Sequence, residues 1–285
     1  MESLATSIGA VDARATKGRI VDYRIAGRVA LVVGGSKGIG FESARMLAAE
    51  GCRVAIVART QKPIDRAVAQ IRDEGGDAIG ISADMTLEAE INRAVTEATA
   101  AFGPPLIVIT QADFHVRGFF EEVTRFEDFV DSYRAYTMAQ VYMLHAVLPA
   151  MKQAHWGRFV HIGSATAKEP VSKPPHTVAN GTRPSTVGLL KSVADEYAQF
   201  GITVNTIAPG WIATKTTNWY LSTHEGLTED DQRRQWMIDQ AGVPAARLGD
   251  VDEIASTVVY LCSHLAGYVN GHYIAVDGGH HRSAF

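Results

Sequence analysis

Gly34-Gly35-Ser36-Lys37-Gly38-Ile39-Gly40 lies between an apolar run, Val29 to Val33, and a stretch with helical periodicity. That order of strand, glycine turn and helix is suited to holding a pyrophosphate. Gly34 permits a tight exit from the strand, Gly38 lets backbone approach the phosphates, and Gly40 lets the helix sit close to the sheet. Ser36, Lys37 and Ile39 complete the turn, and the helix N-terminus offers N–H groups and partial positive charge to an anion. A second apolar run ends in Ala58-Arg59-Thr60, where a carboxylate would select a ribose 2′-hydroxyl. Arg59 can instead form a bidentate pair with a 2′-phosphate, and Lys37 adds charge on the same side. The pattern implies NADP(H) in preference to NAD(H).

Positioning such a turn requires alternating strands and helices. Strands are expected over 28–33, 53–57, 78–82, 106–110, 158–162, 203–207 and 273–276. Helices are expected over 38–49, 63–73, 87–101, 126–155, 187–200 and 251–261. The strands read as continuous apolar runs, which marks burial on both faces. The alternation predicts a single α/β domain, a doubly wound (Rossmann-type) and mostly parallel sheet of about seven strands. The domain is expected over 26–285, after an N-terminal arm over 1–25. The stretch 215–245 is the least regular and too long for an ordinary connection, so it is read as a substrate lid. Its Trp219, Tyr220, Trp236 and Met237 suit either an apolar or aromatic ligand or the packing of the lid itself.

Composition narrows the class. The 285 residues are 46% hydrophobic and 20% charged, a globular balance that can bury a core without disulfide or metal. Formal charge is −4 and no basic stretch stands out, which argues against nucleic acid as a partner. Cys52 and Cys262 are isolated, so neither a zinc cluster nor a disulfide framework is expected. No apolar run approaches the ~20 residues of a membrane span, and the polar opening segment lacks a signal-peptide core. A cytoplasmic protein is expected.

Further motifs carry a family resemblance. Ser82-Ala83-Asp84-Met85 follows the third strand, and Asn205-Thr206-Ile207-Ala208-Pro209-Gly210 is followed by Ile212 and Thr214. Ala246-Arg247-Leu248-Gly249 and Val276-Asp277-Gly278-Gly279 lie towards the C-terminus. With the glycine turn, these resemble the short-chain dehydrogenase/reductase family from Gly27 to Gly279. The resemblance implies that Asp84, with Met85 beside it, contacts the adenine and that Pro209, Gly210, Ile212 and Thr214 hold the nicotinamide amide. Gln111 and Ala112, in Thr110-Gln111-Ala112-Asp113, occupy a cofactor-contacting run that usually reads Asn-Asn-Ala-Gly. It also implies a homodimer or homotetramer paired through the helices over 126–155 and 187–200, with the C-terminal strand adding an interface.

Working members of this family use a serine to orient a carbonyl, a tyrosine to move the proton, and a lysine four residues later. An asparagine on the preceding long helix completes a water relay. Ser164 stands at the serine position. Anchoring on Gly188-Leu189-Leu190-Lys191-Ser192 places Ala179 at the tyrosine position and Arg183 at the lysine position. The asparagine position falls on Tyr136, or on Thr137 if the helix register slips by one. The chain is thus similar to a divergent subgroup related to β-ketoacyl-carrier-protein reductases. Arg183 can hydrogen-bond ribose hydroxyls but cannot relay a proton.

Another group must supply that proton. His176, Asn180 and Arg183 share a face if their helix starts at Pro174-Pro175, and an imidazole suits acid–base work near neutrality. Tyr136 is a second candidate, and Asp113 with His115 a third. Three functions follow: an NADPH-dependent reductase of a small carbonyl or enone, a nucleotide-binding sensor or oligomer partner without turnover, or a non-redox lyase or isomerase.

Overall fold

The apolar runs become β1 (Val29–Val33), β2 (Arg53–Ala58), β3 (Asp77–Ser82), β4 (Ile107–Gln111), β5 (Gly157–Ile162), β6 (Ile202–Pro209) and β7 (Tyr273–Val276). The computed structural model describes residues 21–112, 116–171 and 174–284. All seven strands pair in parallel, in the order β3-β2-β1-β4-β5-β6-β7. Every residue of β1 and of β5 is buried, as their unbroken apolar character requires. Neighbouring residues serve opposite layers. Ala30 and Val32 join one core with α1 (Gly38–Ala49), α2 (Gln61–Asp73) and α9 (Val251–Cys262). Leu31 and Val33 join the other with α3 (Glu88–Phe102), α5 (Ala139–Gln153) and α6 (Thr177–Tyr197). The strand order reverses beside β1, between β1 and β4, and so opens a crevice at their carboxyl ends.

Three regions depart from the expected elements. The helix expected over 126–155 is α4 (Glu127–Tyr133), a π-helical turn (Arg134–Met138) and then α5. Its wider turn fits a seam of hydroxyls on α6. Ser132 meets Thr182 at 2.7 Å, and Thr137 meets Ser185 at 2.7 Å and Thr186 at 3.0 Å. These contacts replace the apolar packing that a regular helix would bring to a core.

Secondly, α6 begins at Thr177, ten residues before its expected start, and carries Pro184 in its interior. That proline removes one helical N–H, and Gly181 adds conformational freedom, which together hid the first half of the helix from its periodicity. The third departure is the stretch expected as a lid, which folds as α7 (Lys215–Thr223) and α8 (Asp230–Asp239). Tyr220, Leu221, Met237 and Val243 form a small core of their own there, with Trp211 and Trp236 packed against it. Of the four aromatic and sulfur side chains singled out above, only Trp219 is exposed, at 54%. The other three pack within this stretch.

The N-terminal arm over 1–25 lies mostly outside the described residues. Its end is already packed, since Ile25 is buried in the first core and the Tyr23 carbonyl accepts from the His264 N–H. Among the described residues no helix is long and apolar enough to cross a membrane, and no cluster of His, Cys, Asp or Glu could hold a metal ion.

Candidate functional site

The glycine turn leaves β1 with Gly34 at φ +77°, where its N–H donates to the Val57 carbonyl at 2.8 Å. A side chain there would be strained, and its Cβ would stand 3.3 Å from the Gln111 Cβ. At Gly40 a Cβ would fall 2.5 Å from the Gly34 carbonyl oxygen, so the first turn of α1 can press against the turn only without one. Ser36 is half-buried, Ile39 is buried, and Lys37 is the exposed N-cap of α1. Because β1 and β2 run side by side, with Val33 opposite Val57, the exposed Arg59 and Thr60 emerge beside this turn. Thr60 is the N-cap of α2.

The other expected cofactor positions ring the same crevice. Gln111 ends β4, and its Oε1 is buried without a hydrogen-bond partner, while Ala112 follows it half-buried. Asp84 turns its carboxylate onto the Thr86 N–H at 2.9 Å, and Met85 packs against the second core. Pro209 ends β6, and the Gly210 N–H donates to the Val276 carbonyl at 3.2 Å. Ile212 bridges Gly249. Thr214 caps α7 by accepting from the Thr217 N–H, and its Cγ2 lies 4.0 Å from where a Gly38 Cβ would be. α7 therefore starts against the glycine turn.

Ser164 lies just beyond β5, where it caps a short turn (Ala165–Ala167). Arg183 reaches it from α6. One terminal nitrogen, Nη1, donates to Ser164 Oγ at 3.3 Å and to Thr166 Oγ1 at 2.6 Å. The other, Nη2, donates to the Tyr136 hydroxyl oxygen at 3.1 Å, with the guanidinium 5.1 Å from that ring's centroid. Tyr136 belongs to the π-helical turn and is buried. Thr137, the neighbouring alternative, spends its hydroxyl on Ser185 and Thr186. A guanidinium only donates, so the hydroxyl oxygens of Ser164, Thr166 and Tyr136 all accept from it. Arg183 thus places its guanidinium charge beside Ser164.

His161 on β5 escaped the sequence reading. It is fully buried, its Nδ1 3.0 Å from Thr110 Oγ1. Burial first, and then the Arg183 charge, bring its pKa down to about 4, so it is neutral throughout the physiological range. Thr166 and Tyr273 were missed as well. Thr166 shares the Arg183 donor with Ser164, and the Tyr273 hydroxyl donates to the Ser164 carbonyl at 2.7 Å. Short-range pattern gave no signal for these residues, because their partners lie on elements distant in the chain.

His176 stands elsewhere than expected. The helix starts after it, leaving His176 as the N-cap with non-helical φ −134° and ψ 39°. The segment before it is tied sideways instead: Gly118 donates its N–H to the Pro175 carbonyl, and Gly118 and His176 form a parallel bridge. The face of His176, Asn180 and Arg183 is thus not a single helical face. Asn180 Nδ2 donates to the Val171 carbonyl. Asp113 and His115 lie outside the described residues.

A glycine turn with no room for a Cβ at Gly40, an orphaned Gln111 oxygen facing it, and cationic side chains at its rim suit a dinucleotide. The fold and site are those of a dinucleotide-binding α/β protein. Residues 33–281 match the family model described as enoyl-(acyl carrier protein) reductase, and the chain belongs to the short-chain dehydrogenase/reductase family. It is 32% identical to the short chain dehydrogenase mdpC of Emericella nidulans, with 90% of this chain and 96% of that protein covered. L-sorbose reductase from Gluconobacter frateurii, solved with NADPH and L-sorbose, superposes with a TM-score of 0.85 at 25% identity, covering 92% of this chain and all of that one. An NADPH-bound short-chain oxidoreductase from Pseudomonas aeruginosa, described as containing an atypical catalytic center, gives a TM-score of 0.83 at 25% identity. There 91% of this chain and 99% of that one are covered.

Proposed function

We propose that the protein is an NADP(H)-dependent reductase of a small carbonyl or enone, with a proton donor other than the family's tyrosine. The observation that carries this reading is the Arg183 hub, which joins Ser164, Thr166 and Tyr136 beside the cofactor crevice. The NADPH-bound structural neighbours support the choice of cofactor. Gly34, Gly38 and Gly40 would receive the pyrophosphate, Arg59 and Lys37 a 2′-phosphate, and Arg183 the ribose hydroxyls. When bound, the nicotinamide supplies a hydride.

The chain's own residues do the rest. Ser164 donates its hydroxyl hydrogen to the substrate oxygen. The Arg183 charge beside it stabilises the negative charge growing there. Tyr136 is the donor that the geometry favours. Its phenol is buried and held by the same guanidinium, which offsets the charge left when the proton departs. His161, neutral beneath the cluster, adds no competing positive charge.

The test is direct: purified protein is mixed with NADPH and a panel of ketones, aldehydes and enones, and the nicotinamide absorbance is followed. Turnover supports the reductase. Tight NADPH binding with no turnover across the panel would support a second reading, a binding protein, which the buried methyl of Ala179 at the tyrosine position favours.

Cofactor choice has its own measurement. By calorimetry, Arg59→Ala is expected to weaken NADPH binding by ~1–3 kcal/mol, the range for charge-assisted bonds, and to leave NADH nearly unchanged. Equal affinity of the native protein for both cofactors would refute the assignment of Arg59.

Assembly belongs to the same proposal. Val141, Leu144, Leu148, Leu189 and Val193 line a surface groove between α5 and α6. We expect a homodimer or homotetramer to pair there, two-fold symmetry being the commonest closed solution. Light scattering should give a multiple of 30.7 kDa; a mass of one chain would refute it.

A further inference from the structure

The end of the chain returns to the back of the Ser164 loop. Tyr273, on β7, donates its hydroxyl to the carbonyls of Ser164 at 2.7 Å and Ala165 at 2.9 Å. Beyond β7 the chain turns through Gly278 and Gly279, both at positive φ, and brings His281 under the same loop. One ring nitrogen, Nε2, lies 3.1 Å from the Ala165 carbonyl oxygen, and the other, Nδ1, meets the Asp277 carboxylate. The side chains of His281 and Asp277 are only 9% and 7% exposed. Immediately after His281, the backbone closes the clasp: the N–H groups of Arg282 and Ser283 donate to the two oxygens of Glu169 at 3.1 and 2.7 Å. Glu169 belongs to the stretch that follows the Ser164 turn.

The same segment also holds the end of the lid. Arg282 Nη2 donates to the Gly242 carbonyl at 2.9 Å, and the Ala245 N–H donates to the Gly278 carbonyl at 3.0 Å. The packing is close, since a Cβ on Gly278 would stand 2.9 Å from the Ala245 Cβ.

None of these contacts touches the face of Ser164 that meets Arg183. They grip the serine's carbonyl, its neighbour's carbonyl and a carboxylate five residues on, and so fix the loop from behind. We propose that His281 is a positioning residue for Ser164, the keystone of a C-terminal latch that holds the Ser164 loop and ties it to the end of the lid. Tyr273, Asp277 and Glu169 are its fixed points.

The charges agree with this geometry. Burial raises the Asp277 carboxyl, but the His281 backbone and side chain, the Gly279 N–H and the His281 charge together hold it below its ordinary value. Glu169 is likewise held low by the N–H groups of Arg282 and Ser283. Both carboxylates are therefore in their accepting form at neutral pH.

The inference rests on reading Ser164 as the substrate-oxygen donor, but its first measurement needs no turnover. Amide hydrogen exchange is followed in the full chain with NADPH present, comparing native protein with His281→Ala and Glu169→Gln. Residues 165–169 are expected to exchange about tenfold faster or more in His281→Ala, and less markedly faster in Glu169→Gln. The glycine turn over 34–40 should be unchanged. Added imidazole, which fits the space left by the ring, should restore protection in His281→Ala and leave Glu169→Gln as it was. If a substrate is found on the carbonyl panel, His281→Ala should lower kcat several-fold with KM for NADPH unchanged, and imidazole should raise it again.

Unchanged exchange over 165–169 in both variants overturns the latch. So does acceleration spread evenly over the whole sheet in both, which would mean a general loss of stability. A panel without turnover removes the reductase reading and leaves the exchange result to decide on the latch alone.

Discussion

Ser164→Ala is expected to lower kcat by about 10²–10³-fold, the cost of removing one donor from a developing oxyanion. Arg183 remains in place in this variant, because Thr166 and Tyr136 still accept from it at 2.6 and 3.1 Å. The loss should therefore appear in kcat with little change in the NADPH dissociation constant. Single-turnover absorbance measurements at saturating NADPH separate the two. A variant that turns over as fast as native protein would remove Ser164 from the chemistry and, with it, the reductase reading of this pocket.

The second large effect runs the other way. Ala179→Tyr combined with Arg183→Lys should raise reduction of simple ketones by about 10²–10⁴-fold, the range for a placed general acid. Residues four apart share a face of a helix, and positions 179 and 183 both lie within α6, in its first two turns. Lysine also withdraws the guanidinium fork that now occupies the space between Ser164 and Tyr136. The added phenol would have that space, while Ala179 as it stands offers only a buried methyl. The measurement is the initial rate of NADPH consumption at equal occupancy by cofactor. A doubly substituted protein that binds NADPH normally and gains nothing would show that α6 does not aim position 179 at the reacting carbon.

Much of this architecture was legible before any coordinates. Seven strands were expected and seven formed, because continuous apolar runs such as VALVV leave a chain few places to go except the middle of a sheet. The glycine turn was equally plain, since its meaning is local: a strand, a turn that excludes side chains, and a helix follow one another without interruption. What failed to show was structure held by partners far along the chain. α7 and α8 are short and polar, and they stand because Tyr220, Leu221, Met237 and Val243 find one another in space. The early start of α6 was masked by Gly181 and Pro184. His176 was placed on a helical face it does not share, because Gly118, 58 positions earlier, ties down the segment before it.

The site divides along the same line. Ser164, Arg183 and Tyr136 were each identified singly, but their union through one guanidinium comes from β5, α6 and the π-helical turn meeting in space. His161 could not be found by pattern at all. In the sequence it is one polar residue inside a buried strand, and only packing shows that it is neutral and lies close enough to Arg183 to feel its charge.

The π-helical turn over Arg134–Met138 has a consequence at the level of the gene. A turn of this kind holds one residue more than an α-helical turn, between two flanks that are anchored. Here the upstream flank is anchored by Ser132 against Thr182, and the downstream flank by Met143, Leu144 and Val147 in the core. Without such anchors, one extra codon would rotate everything beyond it by ~100°. With them, the surplus residue is absorbed within a single turn, and the flanks keep their seats. Tyr136 occupies that turn. The position facing Arg183 can thus exchange one side chain for another, even by insertion or deletion, while the rest of the helix pair stays in register. A lineage built this way can revise its chemistry at this point without renegotiating its fold.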